Sequence, residues 1–326
     1  VAIGSDVATA DAVLGELEQY RKELTGYCYR MLGSGFEAED AVQETFVRAW
    51  RGIDSFEGRS ALRSWLYRIA TNTCLDMLRG RERRARPMEV GPAVHADPVH
   101  LANVLPEHAW VSPIADERIV PDDADPAEVA EARESIRLAF VAALQHLPAR
   151  QRAVLILREV LRWQATEVAE LLDTSVASVN SALQRARATL SASTTDRASV
   201  GAVTPAQQEL LAQYVEAFEA YDVQRLVTLL HEDAIQSMPP YAMWLQGRDD
   251  IAAWMLGPGI GCTGSRLLAT QANGCAAFAQ YRVDPDGGHK PWALQVIELS
   301  GDRISGFHSF LDPNLFAAFG LPMHLD

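Results

Sequence analysis

The sequence predicts a multidomain chain with two all-α domains followed by a C-terminal α+β domain. Three observations lead there. The chain has 326 residues, more than one typical domain uses. Apolar residues recur at three- and four-residue spacing over 12–86 and again over 131–190, the period of a helix. Beyond residue 204, two helical stretches precede four alternating runs of strand character, the layout of an α+β fold. Between these blocks, 87–130 is acidic and Pro-rich and 191–203 is rich in Ser, Thr and Ala, and both read as linkers.

Charge is segregated along the chain. The net charge of −14 argues on its own against a nucleic-acid partner. Yet Arg59 to Arg86 holds eight arginines against Asp76 and Glu82, while Glu89 to Glu128 holds nine acids against Arg118 alone. From Gly201 onward there are fourteen acids and six bases. A local DNA-binding surface on an otherwise acidic protein fits this asymmetry. No apolar run approaches the roughly 20 residues of a membrane span. Val1 to Ala12 lacks the basic start and apolar stretch of a signal peptide, so a cytoplasmic protein is expected. Cys28, Cys74, Cys262 and Cys275 show no C-x-x-C spacing, which argues against zinc or a disulfide framework. They read as small buried hydrophobes.

In the first helical block, Leu14, Leu17, Leu24, Tyr27, Cys28, Met31 and Leu32 form one stripe, and Val42, Phe46, Val47 and Trp50 continue the period. Gly33 and Gly35 break the first helix, and Gly58 marks a loop before a helix carrying Leu62, Trp65, Leu66, Ile69 and Ala70. Asp40, Gln43, Glu44 and Val47 lie on adjacent turns and share a face. That face suits a basic protein partner; a solvated helix with acids near its N-terminus fits the same pattern and is the commoner case. Next, Phe56, Trp65 and Tyr67 interleave with Arg59, Arg63 and Arg68, and Asn72, Asp76, Arg79, Arg83 and Arg84 follow. Arginines attract phosphates and aromatic faces stack on unpaired bases, a combination suited to melted DNA. A core Trp beside a basic helix end fits equally well.

Residues 37–50, EAEDAVQETFVRAW, and 56–79, FEGRSALRSWLYRIATNTCLDMLR, resemble the second conserved region of the sigma-70 family, in its small extracytoplasmic-function (group IV) type of RNA polymerase sigma factor. The resemblance implies that Asp40, Gln43, Glu44, Phe46 and Trp50 face the β′ clamp helices of core polymerase. It further implies that the Phe56–Ser60 loop and the helix bearing Asn72 trap flipped bases of the −10 element, with Arg59, Ser60, Arg63, Trp65, Asp76, Arg79, Arg83 and Arg84 alongside. Extruding a base loses stacking, so a receiving pocket is required.

In the second helical block, Leu147-Pro148 precedes the amphipathic RQRAVLILREV, and EVAELLDTSVASVNSALQRAR has helix-turn-helix spacing. Asp173-Thr174-Ser175 is the turn, with Ser175 as N-cap. Ala177, Ser178, Asn180, Ser181, Gln184 and Arg185 point outward from the second helix, as in a major-groove reader or in any helical hairpin. The segment resembles the fourth conserved sigma region, which reads the −35 element. Asp173 replaces the usual turn Gly, a position Asp tolerates because it enters the left-handed region readily. Asn180 and Ala182 replace commonly basic positions, leaving Arg185 and Arg187 to hold phosphate. Asn180 is suited to adenine. In the linker, Leu101, Val104, Leu105 and Trp110 are candidate anchors. Asp116, Glu117, Asp122, Asp123 and Asp125 are expected to mimic nucleic acid on the RNA exit path, as sigma linkers commonly do.

The third block resembles the SnoaL-like members of the nuclear-transport-factor-two-like superfamily, through LLAQYVEAFEAYDVQRLVTLLHEDAIQSMPP and WLQGRDDIAAW. That implies a cone-shaped α+β domain with a pocket, in a fold that hosts both enzymes and binding modules. Candidate pocket groups are His231, Gln236, Tyr241, Trp244, Arg282, Gln295 and His308. His308 alternates with Ile304, Gly306 and Phe310 and is expected to face the cone or to sit satisfied in the core. No Asp–His pair is set by spacing, so regulation or ligand sensing is favoured over catalysis. Leu315, Phe316, Phe319 and Leu321 close this domain or pack on the sigma domains.

The expected partners are core RNA polymerase (β′ clamp helices and β subunit), promoter DNA as −35 duplex and melted −10 strand, and a small molecule in the C-terminal domain. No cofactor or metal is expected. Alternatives are a ligand-responsive helix-turn-helix regulator, or a cyclase or hydrolase tethered to a DNA-binding module.

Overall fold

A computed structural model describes residues 15–53, 56, 61–121, 125–192 and 203–326. The chain divides into two units, one of residues 1–83, 117–125 and 138–195, the other of 84–116, 126–137 and 196–326. Among the described residues no helix is long and apolar enough to cross a membrane.

In the first unit, α1 (Arg21–Leu32) buries Leu24, Tyr27, Cys28, Met31 and Leu32. It ends at Gly33, whose φ of 73° is the left-handed cap that glycine adopts without a Cβ clash. Its N–H donates to Tyr29 O at 2.8 Å. Helix α2 (Gly35–Gly52) starts at Ser34, whose hydroxyl accepts from Glu37 N. Its buried residues, Ala38, Ala41, Val42, Thr45, Phe46 and Ala49, follow the helical period. Helix α3 (Leu62–Met77) sets Tyr67 edge-on against Tyr27, ring centroids 5.1 Å apart.

The later helices are α4 (Leu138–Gln145), α5 (Ala149–Leu155), α6 (Ala165–Leu171) and α7 (Val176–Ala192). The sequence reads 12–86 and 131–190 as separate domains, yet their helices share one unit. Buried Arg152 is a main reason. It donates to the carbonyls of Met31, Gln145 and Leu147 and to Gln145 Oε1, pinning the α4–α5 turn to the end of α1. Trp163 stacks near Tyr67 at 4.9 Å, and Arg68 donates to Glu170 O at 3.0 Å. Residues 118–120 add Arg118 to Glu39 at 3.3 Å and Val120 O, which accepts from Lys22.

In the second unit, α8 (Pro205–Glu219) opens with a capping box. Thr204 Oγ1 accepts from Gln207 N, and Gln207 Oε1 accepts from Thr204 N. Then follow α9 (Val223–Leu229), β1 (Leu230–Ser237), β2 (Trp244–Gln246), α10 (Arg248–Leu256), β3 (Arg266–Ala272), β4 (Cys275–Val283), β5 (His289–Ser300), β6 (Arg303–Phe310) and α11 (Asn314–Ala318). The sheet order is β2-β1-β6-β5-β4-β3. The four strands read from the sequence are β3 to β6, and all pair antiparallel. The unforeseen β1 runs parallel to β6. Helices α8 to α10 bury Tyr214, Phe218, Leu226 and Trp254 against Phe278, Ile297 and Phe307. The tail closes this unit: Phe316 meets Tyr281 edge-on at 5.0 Å, and Leu325 pairs with His289.

The stretch read as an acidic linker is built into this second unit over much of its length. Val94 N donates to Trp244 O, Trp244 Nε1 to Gly91 O, Leu105 N to Pro240 O and Ala96 N to Asp250. Leu101 packs against the core, and Trp110 is 3% exposed. Asn273 is the densest junction, accepting from Ile114 N and donating to Ile136 O and Ile114 O. Asp116 corrects one expectation. It is buried, 3.2 Å from Arg133, and accepts from Gly274 N, so it is no free acidic strand. Burial pushes its carboxyl pKa up in spite of these contacts. Glu117 is exposed, while Asp122 and Asp123 lie outside the described residues.

Candidate functional site

Helix α2 has two distinct faces. Asp40 and Gln43 are exposed, Glu44 and Val47 half-buried, and Trp50 is 51% exposed, which is high for so large an apolar ring. Glu44 pairs with Arg48 at 2.6 Å. Phe46 does not join them. It is 7% exposed, with the Arg21 guanidinium 4.9 Å above its ring. Six residues at 100° each carry Phe46 well away from the Asp40 direction, into the core.

On α3, Asn72 and Asp76 are exposed, and Arg79 follows just past its end. With Leu75, Leu78, Ala149 and Arg150 they line a groove of about 570 Å³. Phe56 and Trp65 lie together, ring centroids 5.0 Å apart. Two arginines depart from expectation. Arg63 donates to Glu23, which also accepts from Tyr67 OH, and lies 5.2 Å over Trp163. Arg84 is 6% exposed and donates to the carbonyls of Glu107 and Trp110. Five guanidinium donors satisfy carbonyls as readily as phosphates, and buried carbonyls claimed this one. Arg83 is exposed and shares a 2.9 Å hydrogen bond with His146. Arg59 and Ser60 lie outside the described residues.

The helix-turn-helix forms as its spacing suggests. Asp173 takes φ 49°, and Ser175 Oγ accepts from Ser178 N. Val179 and Leu183 are buried, so Ser175, Ala177, Ser178, Asn180, Ser181, Gln184 and Arg185 stand exposed along α7. Arg187 is also exposed but is paired with Glu159 at 2.7 Å.

In the C-terminal unit a cavity of about 40 Å³ opens on the inner sheet face. Of the expected pocket groups, Gln236 and Gln295 line it. A neutral relay runs along this face: Tyr214 OH donates to Gln295, Gln295 to Gln280, and Gln280 to Ser265. Gln280 and Trp292 also line the cavity, and the sequence reading missed them. Arg282 stacks 4.2 Å over Trp292 at the edge. His231, Tyr241 and Trp244 are not in the lining; His231 accepts from Asp233 N, Tyr241 pairs with Val104, and Trp244 holds Gly91.

His308 faces the other way. Registers Gln236↔Phe307 and Gln295↔Ser309 put Phe307 and Ser309 inside, so His308 lies on the outer face. There it shares a 2.8 Å hydrogen bond with Ser237 and sits 3.6 Å from Glu298. Burial alone would raise the Glu298 carboxyl. His308, with Arg86 and Arg137 near, overrides this and holds it at about 2. A carboxyl depressed below its ordinary value adds stability above that value, lost as pH falls toward the folded pKa. Stability of this unit is therefore expected to drop from about pH 4.5 toward 2, and Glu298→Gln to flatten that drop while lowering stability at pH 7. Thermal melts across this range check it; an unchanged slope in the variant rejects the assignment.

Three stretches of the chain match known families. Sigma-70 region 2 matches residues 17–84, Sigma-70 region 4 matches 137–190, and the SnoaL-like domain matches 211–306. The two regions define a sigma factor of the sigma-70 family. The chain is 48% identical, over 94% of its length and 82% of the relative, to ECF RNA polymerase sigma factor SigG of Mycobacterium tuberculosis. It is 28% identical over 93% of both chains to ECF RNA polymerase sigma factor SigJ of the same species. The crystal structure of SigJ shares the fold, with a TM-score of 0.59 over 95% of this chain and 100% of that one at 22% identity. The chain belongs to the ECF RNA polymerase sigma factors. It directs transcription initiation by binding core polymerase and promoter DNA, in a family that is not one of enzymes.

Proposed function

We propose that each function of the helical unit uses one exposed face. The Asp40, Gln43, Glu44 and Trp50 face of α2 docks on the β′ clamp helices, an acidic, partly apolar surface for a basic partner. The groove at Asn72, Asp76 and Arg79, with Phe56 and Trp65 beside it, receives the unpaired −10 strand. The outward side of α7 enters the −35 major groove, with Asn180 as base reader and Arg185 on phosphate. The protein acts in the cytoplasm, with the polymerase.

The packed helical unit is the unengaged state. The −10 and −35 elements lie about 25 base pairs apart, roughly 85 Å along a straight duplex. Helices joined through Arg152 and Trp163 must separate to reach both.

The C-terminal domain modulates this in cis by binding rather than by catalysis. One observation carries the reading: residues 84–116 and 126–137, which tether region 2 to region 4, are built into the C-terminal unit. A domain that holds the tether controls how freely the two regions part. Its inner cavity is lined without Asp, Glu or His, the commonest general acids and bases, and its relay joins neutral side chains. Run-off transcription with core polymerase, comparing full-length protein with a 1–203 truncation at matched active concentration, tests it. A changed yield supports control in cis, and identical promoter-dependent yields reject it.

A further inference from the structure

A second cavity in the C-terminal unit adjoins the glutamine-lined one, sharing Leu311 with it, and is much larger. It measures about 340 Å³, within the range of roughly 300–1,000 Å³ usual for small-molecule sites. One wall is Val104, Leu105 and Trp110 from the stretch between the sigma regions. The opposing wall is Pro239, Phe310 and Leu315 from the SnoaL-like fold. The peptide groups of the walls are already paired: Leu105 N donates to Pro240 O, Leu311 N to Pro239 O and Ala242 N to Asn103 O. What remains open is apolar side-chain surface, which water fills poorly.

The charged side chains of the lining have one sign. Glu107 and Asp312 are in the lining, and no Arg, Lys or His is. Arg84, nearby in sequence, turns its guanidinium onto the carbonyls of Glu107 and Trp110. Among the described residues the Asp312 carboxylate accepts from Asn314, through its N–H and its side-chain amide, and makes no ion pair with a base. An apolar chamber with two carboxylates and no cation among its lining side chains favours a ligand with an apolar body and a positive end.

We propose that this cavity binds a small molecule made of a compact apolar body and a protonated amine, with the body between Trp110, Phe310 and Leu315 and the ammonium toward Glu107 and Asp312. The site is built from the tether between regions 2 and 4 as well as from the SnoaL-like fold, so an occupant stabilises their union by mass action. It is independent of whether the glutamine-lined cavity takes any ligand.

Calorimetric titration of the full-length protein with 1-aminoadamantane, 1-adamantanol and 1-adamantanecarboxylate at pH 7 tests this, because the three share one apolar body and differ in charge. The amine is expected to bind about tenfold more tightly than the alcohol, and the carboxylate more weakly than either. The double variant Glu107→Gln, Asp312→Asn should collapse that preference to about twofold or less, which separates this site from attraction by the protein's overall negative charge. Leu105→Trp, at a residue that lines this cavity and not the glutamine-lined one, fills the chamber and should remove binding of all three. Val104→Trp does the same from a half-exposed position, which spares the core if the first variant misfolds. Equal affinity for the three probes, no binding up to about 5 mM, or amine binding that survives both tryptophan variants would each overturn the proposal.

Discussion

Arg152→Met is expected to destabilise the helical unit by about 2–4 kcal/mol, lowering its Tm by several degrees. The side chain is 4% exposed and has no carboxylate partner in its hydrogen bonds. Burial depresses its pKa to about 10, so the protein bears a desolvation cost to keep the charge there. Methionine removes that cost and preserves much of the packing. It also strands the carbonyls of Met31, Gln145 and Leu147, and stranded buried acceptors cost about 1–3 kcal/mol each. The loss therefore outweighs the relief. Arg152→Lys should recover only part of it, because an ammonium cannot fork to acceptors on two segments as a planar guanidinium does. Amide hydrogen exchange should show faster opening at the end of α1 and the start of α5 together. Exchange that changes only in α5 would show that Arg152 does not join the two regions.

Asn273→Ala is expected to loosen the tether from the C-terminal unit, at a cost of about 3–5 kcal/mol. Two effects add. The side chain accepts from Ile114 N at 3.0 Å and donates to Ile136 O at 2.6 Å, and both groups lose a buried partner. The backbone also sits at φ 56°, where Asn is tolerated and Ala is strained by about 1 kcal/mol. Asn273→Gly removes the strain but not the lost bonds and should fall between the two. Limited proteolysis should cut within 84–116 faster in both variants. If promoter-dependent transcription then stays unchanged while cleavage rises, the tether is held by the C-terminal domain without being used for control.

Much of the fold was legible because it rests on local rules. The 3.6-residue period placed the helices, and Gly33 and Asp173 mark an end and a turn by backbone preference. Strands β3 to β6 alternate clearly enough to read. Strand β1 escaped because Glu232 and Asp233 interrupt its apolar run and its pairing shifts register between Leu230 and Ile235. The tether was legible only in part, through Leu101 and Trp110 as anchors. Its anchors are sparse, and its strongest bonds come from Asn273, more than a hundred residues away.

The sequence by itself determined the class of protein. EAEDAVQETFVRAW, the Phe56–Arg79 stretch and the helix-turn-helix carry chemistry within one helix or turn, and such chemistry survives without knowing what packs opposite. Tertiary structure alone decided which members of each pattern are free to act. Helical phase gives the direction of Phe46 and Arg63 around their own backbone, but not that a core and Glu23 wait there, and Arg84, beyond the helix, has no phase to reveal the two carbonyls it meets. Alternation along β6 gives two faces without saying which is inner, because Phe307, His308, Ser309 and Phe310 are all buried. Register with β1 and β5 settled it, turning His308 toward Glu298 and leaving the inner cavity to glutamines.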